Sequence, residues 1–375
     1  MRILFAFTGG RGHLEPLVPI ARAAAAAGHT LAFASAPSMV PTIEELGFTA
    51  LPIGPGRPRK PPERIPLREV DLEREEREFR ERFAGDGARF RAPLVHALCS
   101  KWQPDLVVAE ETDFGSMVAA ERLGLPYATV LVLAAGSFVR PDLVAETLDE
   151  LRAEHGLPAD PELGMPGRYL VLSPFPPSFR DPAYPLPATA HSFRPFTPEV
   201  VRNDGVPTVY FTLGTEFDLE SGDLFERVLA GLRDLPIDVV ATLGSRRDPV
   251  ELGPLPPNVR VERYVPQSTI LPRCTAVVSH GGSGTVLGAL AYGLPQVVIA
   301  MGADQPWNAA RCEELGVGLV LDPVTATPAE VRDAVSTVLS DPSYRSAADR
   351  LRVEIAALPG PEQAVPLLEQ LVAPG

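Results

Sequence analysis

Lysine, cysteine and long apolar runs are all scarce in this 375-residue sequence. The only lysines are Lys60 and Lys101, against 32 arginines, and neither follows a glycine-rich loop, which excludes a P-loop NTPase. The three cysteines are too far apart for a metal or redox motif, and their odd number fits a reducing compartment. The longest near-continuous apolar run, 128–135, is about half of a membrane span. We therefore expect a soluble, cytoplasmic protein.

Positive charge is also in deficit, because 34 basic residues stand against 48 acidic ones and give a formal net charge of −14. A nucleic-acid partner is not expected, since a phosphate backbone needs a basic face. Apolar residues make up 45% and charged residues 22%, as is typical of a globular chain. A length of 375 residues, at ~150 per domain, indicates two domains.

Short apolar runs alternate with helix-like stretches in the first third of the chain. This alternation predicts a doubly wound parallel sheet, that is, an α/β fold. The predicted strands of this part are 2–7, 30–34, 48–53, 106–109 and 128–133.

The segment between the third and fourth predicted strands is unusual, because 55–66 is rich in proline and arginine and 69–82 is almost wholly charged. Alternating charges are typical of a solvated helix face. A loop and helix that shape the mouth of a substrate site are the alternative, and the pattern leaves both open.

The segment 174–207 holds nine prolines in 34 residues, too many for regular structure, and predicts an interdomain linker. The predicted domains are 1–190 and 207–375. Two such α/β domains bind ligands in crevices at the carboxyl ends of their strands. The predicted strands of the second domain are 208–213, 239–243, 259–264, 276–279, 296–300 and 318–321.

A glycine-rich loop, 9–12, lies between the first strand and the first helix, and His13 follows it. The spacing does not match the Gly-x-Gly-x-x-Gly pattern of a dinucleotide site. Histidine titrates near neutrality and suits a general base. A histidine that merely caps the helix is an equally open interpretation.

A second loop, 279–285, follows a buried strand and opens a helix. Backbone N–H groups, the positive end of the helix dipole and two hydroxyls together predict an anion site that fits a pyrophosphate. Gly214 and Thr215, after another strand, are candidates for further donors. The alternative is a turn whose glycines only permit close packing.

Polar and aromatic residues at two further strand ends complete the candidate set. Asp304 and Gln305 could bind vicinal hydroxyls of a sugar, although Asp304 could also simply cap the helix that Pro306 begins. Tyr264 could stack on a base, with a tyrosine of the core as the alternative.

Taken together, these segments resemble glycosyltransferase family 1, the nucleotide-sugar transferases of GT-B fold, and most closely the bacterial branch that glycosylates natural products. The donor signature of that family is similar to 264–308, and its Gly-x-Gly-His-x-x-Pro segment is reproduced at 10–16. The resemblance covers both domains. It implies two Rossmann-like, doubly wound domains that face each other across a cleft, with the last helices packing back toward the N-terminal domain.

The resemblance also implies roles for individual positions. His13 matches the catalytic base and Glu110 the acidic residue that orients it, with Glu111 or Asp113 as alternative partners. The implied donor-binding residues are Gly12, Gly214, Thr215, Tyr264, Val265, Gln267, His280, Gly281, Gly282, Ser283, Gly284, Thr285, Asp304 and Gln305.

Two departures from the family pattern matter. UDP-using members hold the ribose diol with a glutamate where this chain has Gly288, which favours a dTDP-sugar over a UDP-sugar. Residues 54–93 match no family motif, so the acceptor stays unidentified.

The expected activity is an inverting, metal-independent transfer of a (deoxy)sugar from a nucleotide diphosphate sugar to a hydroxyl of a small aglycone. The nucleotide sugar is a co-substrate and no other cofactor is expected; a homodimer is compatible with the sequence. The chain lacks Asp-x-Asp, the divalent-cation motif of the other large transferase fold. A nucleotide-sugar epimerase of the same architecture and a catalytically silent paralogue that binds nucleotide or aglycone are the alternatives.

Overall fold

A computed structural model describes residues 1–55, 66–198, 205–214, 220–244 and 247–373. The described residues divide into two compact units. The first contains 1–55, 73–196 and 358–373, and the second contains 66–72 together with the described residues of 197–357.

The first unit is built on a seven-stranded sheet in the order β3-β2-β1-β4-β5-β6-β7, and all its pairs are parallel. Its central strands are apolar and buried on both faces, as a sheet covered by helices requires. The strands are β1 (Arg2–Ala6), β2 (Thr30–Ser35), β3 (Ala50–Pro52), β4 (Leu106–Glu110), β5 (Tyr127–Val130), β6 (Leu170–Ser173) and β7 (Ala190–Ser192).

Seven α-helices lie within the described part of residues 1–196. The segment from Leu72 to Trp102 is helical throughout, but its middle, Arg80–Gly87, is a π-helical turn. The helices are α1 (Arg11–Leu14), α2 (Val18–Ala26), α3 (Val40–Glu45), α4 (Leu72–Phe79), α5 (Ala88–Trp102), α6 (Phe114–Arg122) and α7 (Pro141–Glu154).

The predicted linker begins too early. Residues 174–196 belong to the first unit, and β7 pairs in parallel with β6. Strand β7 contains three residues, none of them proline, and lies at the edge of the sheet. An edge strand pairs on one side only, so the prolines before and after it interrupt no hydrogen bonds to a second neighbouring strand. Part of the predicted linker, 199–204, lies outside the described residues.

The second unit is built on a six-stranded parallel sheet in the order β10-β9-β8-β11-β12-β13. Its strands are β8 (Thr208–Thr212), β9 (Asp238–Thr242), β10 (Val259–Glu262), β11 (Ala276–Ser279), β12 (Gln296–Val298) and β13 (Gly318–Val320). Its helices are α8 (Leu224–Leu232), α9 (Gln267–Ile270), α10 (Ser283–Ala291), α11 (Gln305–Glu314), α12 (Pro328–Ser340) and α13 (Pro342–Ala357).

The C-terminal helix α14 (Ala364–Val372) belongs to the first unit. Its buried face, which includes Leu368, packs in the same apolar cluster as Leu17 and Ile20 of the first unit. The chain therefore ends in the unit in which it begins.

Each sheet reverses its strand order once, between β1 and β4 in the first unit and between β8 and β11 in the second. Doubly wound sheets bind ligands beyond the carboxyl ends of the strands at such a switch point. No helix within the described ranges is long and apolar enough to cross a membrane.

Candidate active site

His13 and Glu110 come together at the switch point of the first sheet. Strands β1 and β4 are neighbours, with Ala6 paired to Ala109, so the chain leaving β1 runs beside the end of β4. His13 lies in α1, and Glu110 is the last residue of β4. The distance from His13 Nδ1 to Glu110 Oε1 is 3.2 Å.

The Glu110 carboxylate is fully buried and is held by two residues, Thr8 and Thr112. The Thr8 backbone N–H and hydroxyl donate to Oε1 at 3.1 and 2.7 Å. The Thr112 backbone N–H donates to Oε2 at 2.8 Å, and the Thr112 hydroxyl lies 2.8 and 2.9 Å from the two oxygens. These contacts fix the carboxylate, so it presents Oε1 to His13 in one orientation.

Two opposed effects act on the pKa of Glu110. Burial by itself raises the pKa of this carboxyl, but the charge of His13 and hydrogen bonds from His13, Thr8 and Thr112 outweigh burial and hold the pKa below its usual value. Glu110 is therefore ionised at neutral pH. A carboxylate against Nδ1 keeps the imidazole proton on Nδ1, which makes Nε2 the basic nitrogen.

The two acidic neighbours of Glu110 have other partners. Glu111 accepts hydrogen bonds from the backbone N–H groups of Val132 and Leu133, and burial raises its pKa to about 7. Asp113 forms a buried, bidentate ion pair with Arg91, at 2.8 and 2.5 Å, and accepts from Ser116 at the start of α6. The prediction that Asp113 could orient His13 is therefore wrong, because Arg91 and the helix N-terminus bind both of its oxygens.

Gly9 lets the chain pass directly under the imidazole. Its φ is +71°, and a Cβ there would lie 2.7 Å from His13 Cδ2. Gly12, predicted with the donor set, is exposed in α1 and has space for a Cβ. It belongs to the first unit, whereas the other described donor candidates belong to the second.

His280 lies at the switch point of the second sheet, where Thr212 of β8 pairs with Ser279 of β11. Added Cβ atoms at Gly214 and Gly282 would lie 2.6 and 2.5 Å from His280 Nε2. Only glycines leave room for the imidazole between these two turns. Thr215, the other predicted donor residue after β8, lies outside the described residues.

His280 is neutral at physiological pH, because burial lowers its pKa to about 4. Its Nδ1 is buried and has no hydrogen-bond partner among the described residues. An unpartnered buried polar atom in a native protein calls for an explanation, and a bound ligand is one. The N-terminus of α10, at Ser283, directly follows this histidine.

Asp304 joins two helices rather than capping one. Its Oδ2 accepts from Ser283 Oγ at 2.6 Å and from Asn308 Nδ2 at 2.8 Å, and it makes no cap hydrogen bond to α11. Asn308 also donates to the Gly281 carbonyl at 2.9 Å. This network fixes the start of α10 against α11.

The remaining donor candidates differ in exposure. Gln305 is 2% exposed and its Oε1 accepts from the Met301 N–H, so in this structure it supports the turn before α11 and does not present its carbonyl to a sugar. Tyr264 is 52% exposed, which excludes the alternative of a core residue. Gln267 donates to Thr285 Oγ1 at 2.9 Å. Val265 packs against an apolar cluster, and Gly284 is exposed.

Sequence reasoning missed Thr8, Thr112 and Asn308. Thr8 lies two residues beyond the end of β1 and Thr112 two residues beyond the end of β4, and a hydroxyl just beyond a strand end at a switch point is a usable signal. Asn308 stands four residues after Asp304, on the same face of a helix. Within the described ranges no group of three or more His, Cys, Asp or Glu side chains is arranged to hold a metal ion.

Comparison with known families gives a match over residues 226–371 to the Erythromycin biosynthesis protein CIII-like, C-terminal domain. Tylactone mycaminosyltransferase of Streptomyces fradiae is 34% identical, with 100% of this chain and 93% of that protein covered. The 10-deoxymethynolide desosaminyltransferase of Streptomyces venezuelae is 33% identical, with 100% and 97% covered.

Among solved structures, the spinosyn rhamnosyltransferase complexed with thymidine diphosphate superposes with a TM-score of 0.80 and 26% identity, covering 98% of this chain and 100% of that one. Its likeness extends over both units. These relatives support a transferase and lend no support to the epimerase or the silent paralogue.

Proposed function

The chain belongs to the natural-product glycosyltransferases of GT-B fold, and from that premise we propose that it moves a deoxysugar from a dTDP-sugar to a hydroxyl of a small aglycone, with inversion and without a metal ion. The observation that carries the proposal is His13 bound through Nδ1 to the buried, ionised Glu110 at 3.2 Å. A base oriented in this way is built to remove one proton.

The proposed reaction is a single displacement. The acceptor oxygen forms a bond to the anomeric carbon while the bond from that carbon to the diphosphate oxygen breaks. The acceptor proton passes to His13 Nε2, and the nucleoside diphosphate leaves with the electron pair. One displacement inverts the anomeric centre.

The second unit supplies the proposed donor site. A diphosphate at the start of α10 meets backbone N–H groups and the positive end of the helix dipole. The unpartnered Nδ1 of His280 supports a hydrogen bond to the same group. Neutral donors suffice to stabilise the departing phosphates, which is why we propose a metal-independent reaction.

Gly288 supports dTDP over UDP. An added Cβ at this position would lie 2.9 Å from Gln267 Oε1 and 3.0 Å from Leu271 Cδ1. A side chain at this position would require the ends of Gln267 and Leu271 to shift, and the chain offers no carboxylate there for a ribose diol. The thymidine diphosphate bound to the spinosyn rhamnosyltransferase points the same way.

A thermal-shift panel of dTDP, UDP and their sugars tests the donor assignment. A nucleotide at 100 times its Kd adds ~2.7 kcal/mol of stability. We expect dTDP compounds to raise the melting temperature more than UDP compounds at equal concentration. A protein that none of these nucleotides stabilises would contradict the donor site.

Turnover with His13→Ala tests the base. A positioned base contributes ~10²–10⁴-fold, so turnover falls by about that factor while the dTDP-induced shift in melting temperature is unchanged. The substrate pair for this assay comes from a screen that combines each stabilising dTDP-sugar with macrolide, anthracycline and phenolic acceptors. Near-wild-type turnover of the variant would remove His13 from the mechanism.

A further inference from the structure

A column of aromatic rings ends on the imidazole of His13. The Phe83 ring lies parallel to it, with centroids 5.9 Å apart and an interplanar angle of 16°. Phe79 stacks on Phe83 at 5.1 Å, and Phe138 stacks on Phe79 at 4.7 Å. Phe79 and Phe138 are buried, whereas Phe83 is half-buried like His13 itself. The column therefore connects the imidazole to the apolar core.

The π-helical turn Arg80–Gly87 carries Phe83. A π turn widens the helix by one residue and changes the direction of the side chains on it, and such turns occur mostly at functional sites. The turn depends on Gly87, because a Cβ there would lie 2.2 Å from the carbonyl oxygen of Arg82, five residues earlier. The sequence thus permits an irregular turn at the point where the helix passes His13.

The helix that follows the turn is bound to the loop that follows Glu110. Arg91 of α5 pairs with Asp113, three residues after Glu110. Close by, α5 passes so near to α6 that a Cβ on Gly115 would lie 2.8 Å from the Ala88 carbonyl oxygen. These contacts hold the helical segment that carries Phe83 in a fixed position relative to the strand end that carries Glu110.

We propose that Phe83 is a positioning residue that sets the plane of the His13 imidazole. This inference rests on the proposed function, in which His13 is the base. The hydrogen bond from Nδ1 to Glu110 holds only while the imidazole keeps its present side-chain torsion, and Gly9 packs close to Cδ2 of the ring. The nearly parallel Phe83 ring disfavours the rotation of the imidazole that would break the Glu110 contact, so Glu110 and Phe83 together define where Nε2 points.

Three variants distinguish an effect of the planar ring of Phe83 from an effect of its apolar volume. Phe83→Leu keeps apolar bulk without a plane, and Phe83→Tyr restores the plane. Gly87→Ala leaves Phe83 in the chain but removes the room that the π turn needs. Phe90→Leu is the matched control, because Phe90 lies in α5, is 48% exposed and packs near Gly54 rather than His13.

The first readout is the tautomer of His13, measured by nitrogen-15 NMR on histidine-labelled protein, with His13→Gln for assignment among six histidines. We expect the Nδ1–H form in the wild type, Phe83→Tyr and Phe90→Leu. In Phe83→Leu and Gly87→Ala we expect a mixture with the Nε2–H form. A wild-type tautomer in Phe83→Leu would overturn the proposal whether or not the chain is a transferase.

The second readout is turnover with the donor and acceptor pair that the screen identifies. We expect kcat to fall roughly 10- to 100-fold in Phe83→Leu, since orientation is a large part of what a base contributes, and to recover within about threefold in Phe83→Tyr. The KM for the donor and the dTDP-induced thermal shift are unchanged. An unchanged kcat would overturn the role of Phe83 in the reaction. If the wild type turns over no pair, the proposed function fails, while the tautomer still decides whether Phe83 positions His13.

Discussion

At the scale of the residue, Glu110 and Glu111 are adjacent carboxylates with opposite surroundings. Glu110 contacts His13 and has its pKa lowered, whereas Glu111 binds two backbone N–H groups and has a pKa raised to about 7. We expect Glu110→Gln to reduce kcat roughly 10²- to 10⁴-fold, because the amide can present its NH₂ to Nδ1 and disfavour the productive tautomer. Steady-state kinetics with the identified substrate pair measures this.

Glu111→Gln is the matched control for that experiment. Its carboxyl is already partly neutral near pH 7, and the amide oxygen of glutamine can still accept from the backbone. We expect turnover within about threefold of the wild type, as for a residue outside the transition state. Equal losses in both variants would show that burial, and not the contact to His13, makes Glu110 important.

His280 makes stability depend on pH in a defined window. Its pKa is lowered from 6.5 to about 4 in the folded chain, so between these values the unfolded chain binds the extra proton. Stability is therefore lost as pH falls from about 6.5 to 4, by up to about 3 kcal/mol, and is fully present above pH 7. Melting temperatures from pH 7 to 4 measure this, with His280→Gln as the reference that lacks the group. The wild-type curve should fall more steeply than that of the variant, and parallel curves would contradict a buried neutral His280.

At the scale of the element, the ion pair of Arg91 and Asp113 fastens α5 to α6. We expect Asp113→Ala to cost about 3–5 kcal/mol, because it leaves the Arg91 guanidinium buried without its counter-ion and removes the hydrogen bonds to Ser116. Thermal unfolding measures the loss as a drop of roughly 10 °C.

The control is an ion pair on the same helix. Arg89 pairs with Glu154, whose side chain is 52% exposed. We expect Glu154→Ala to cost at most about 1 kcal/mol, since exposed pairs contribute little. Similar losses of stability in the two variants would contradict a specific contribution of the Arg91–Asp113 ion pair to the packing of α5 against α6.

The elements also show what the sequence could predict. Alternation of apolar runs and helices predicted both parallel sheets, because buried parallel strands have a simple pattern. The prediction missed the last two strands of the first sheet, β6, which has four residues, and β7, which has three and is flanked by prolines. It also could not show the π turn, because Phe79 and Phe83 are isolated aromatic residues in a charged segment.

The contact partners of individual side chains were harder to predict than the strands and helices. The order of β1 and β4 makes Glu110 a neighbour of His13, and that much follows from motif positions. Asp113 was an open alternative because its partner Arg91 lies 22 residues earlier in the chain, at no spacing that a motif records.

At the scale of the whole molecule, the chain crosses from the first unit to the second and returns in α14. This helix buries Leu368 in the apolar cluster of the first unit, and the backbone N–H of Arg194 donates to the Pro359 carbonyl at 2.9 Å. The last residues therefore stabilise a unit that is otherwise complete by residue 196. A change in α14 should consequently affect the first unit and leave the second intact.

We expect Leu368→Ala to cost about 2–5 kcal/mol, as large-to-small changes in a core do. Hydrogen exchange followed by mass spectrometry should show faster exchange in peptides from 1–55 and 73–196. Peptides from 220–244 and 247–357 should exchange as in the wild type, and dTDP should still protect them. Val353→Ala, a truncation of a 58% exposed side chain in α13, is the control and should change neither set. Uniformly faster exchange in both sets would show that the two units unfold together and that the returning helix does not act on the first alone.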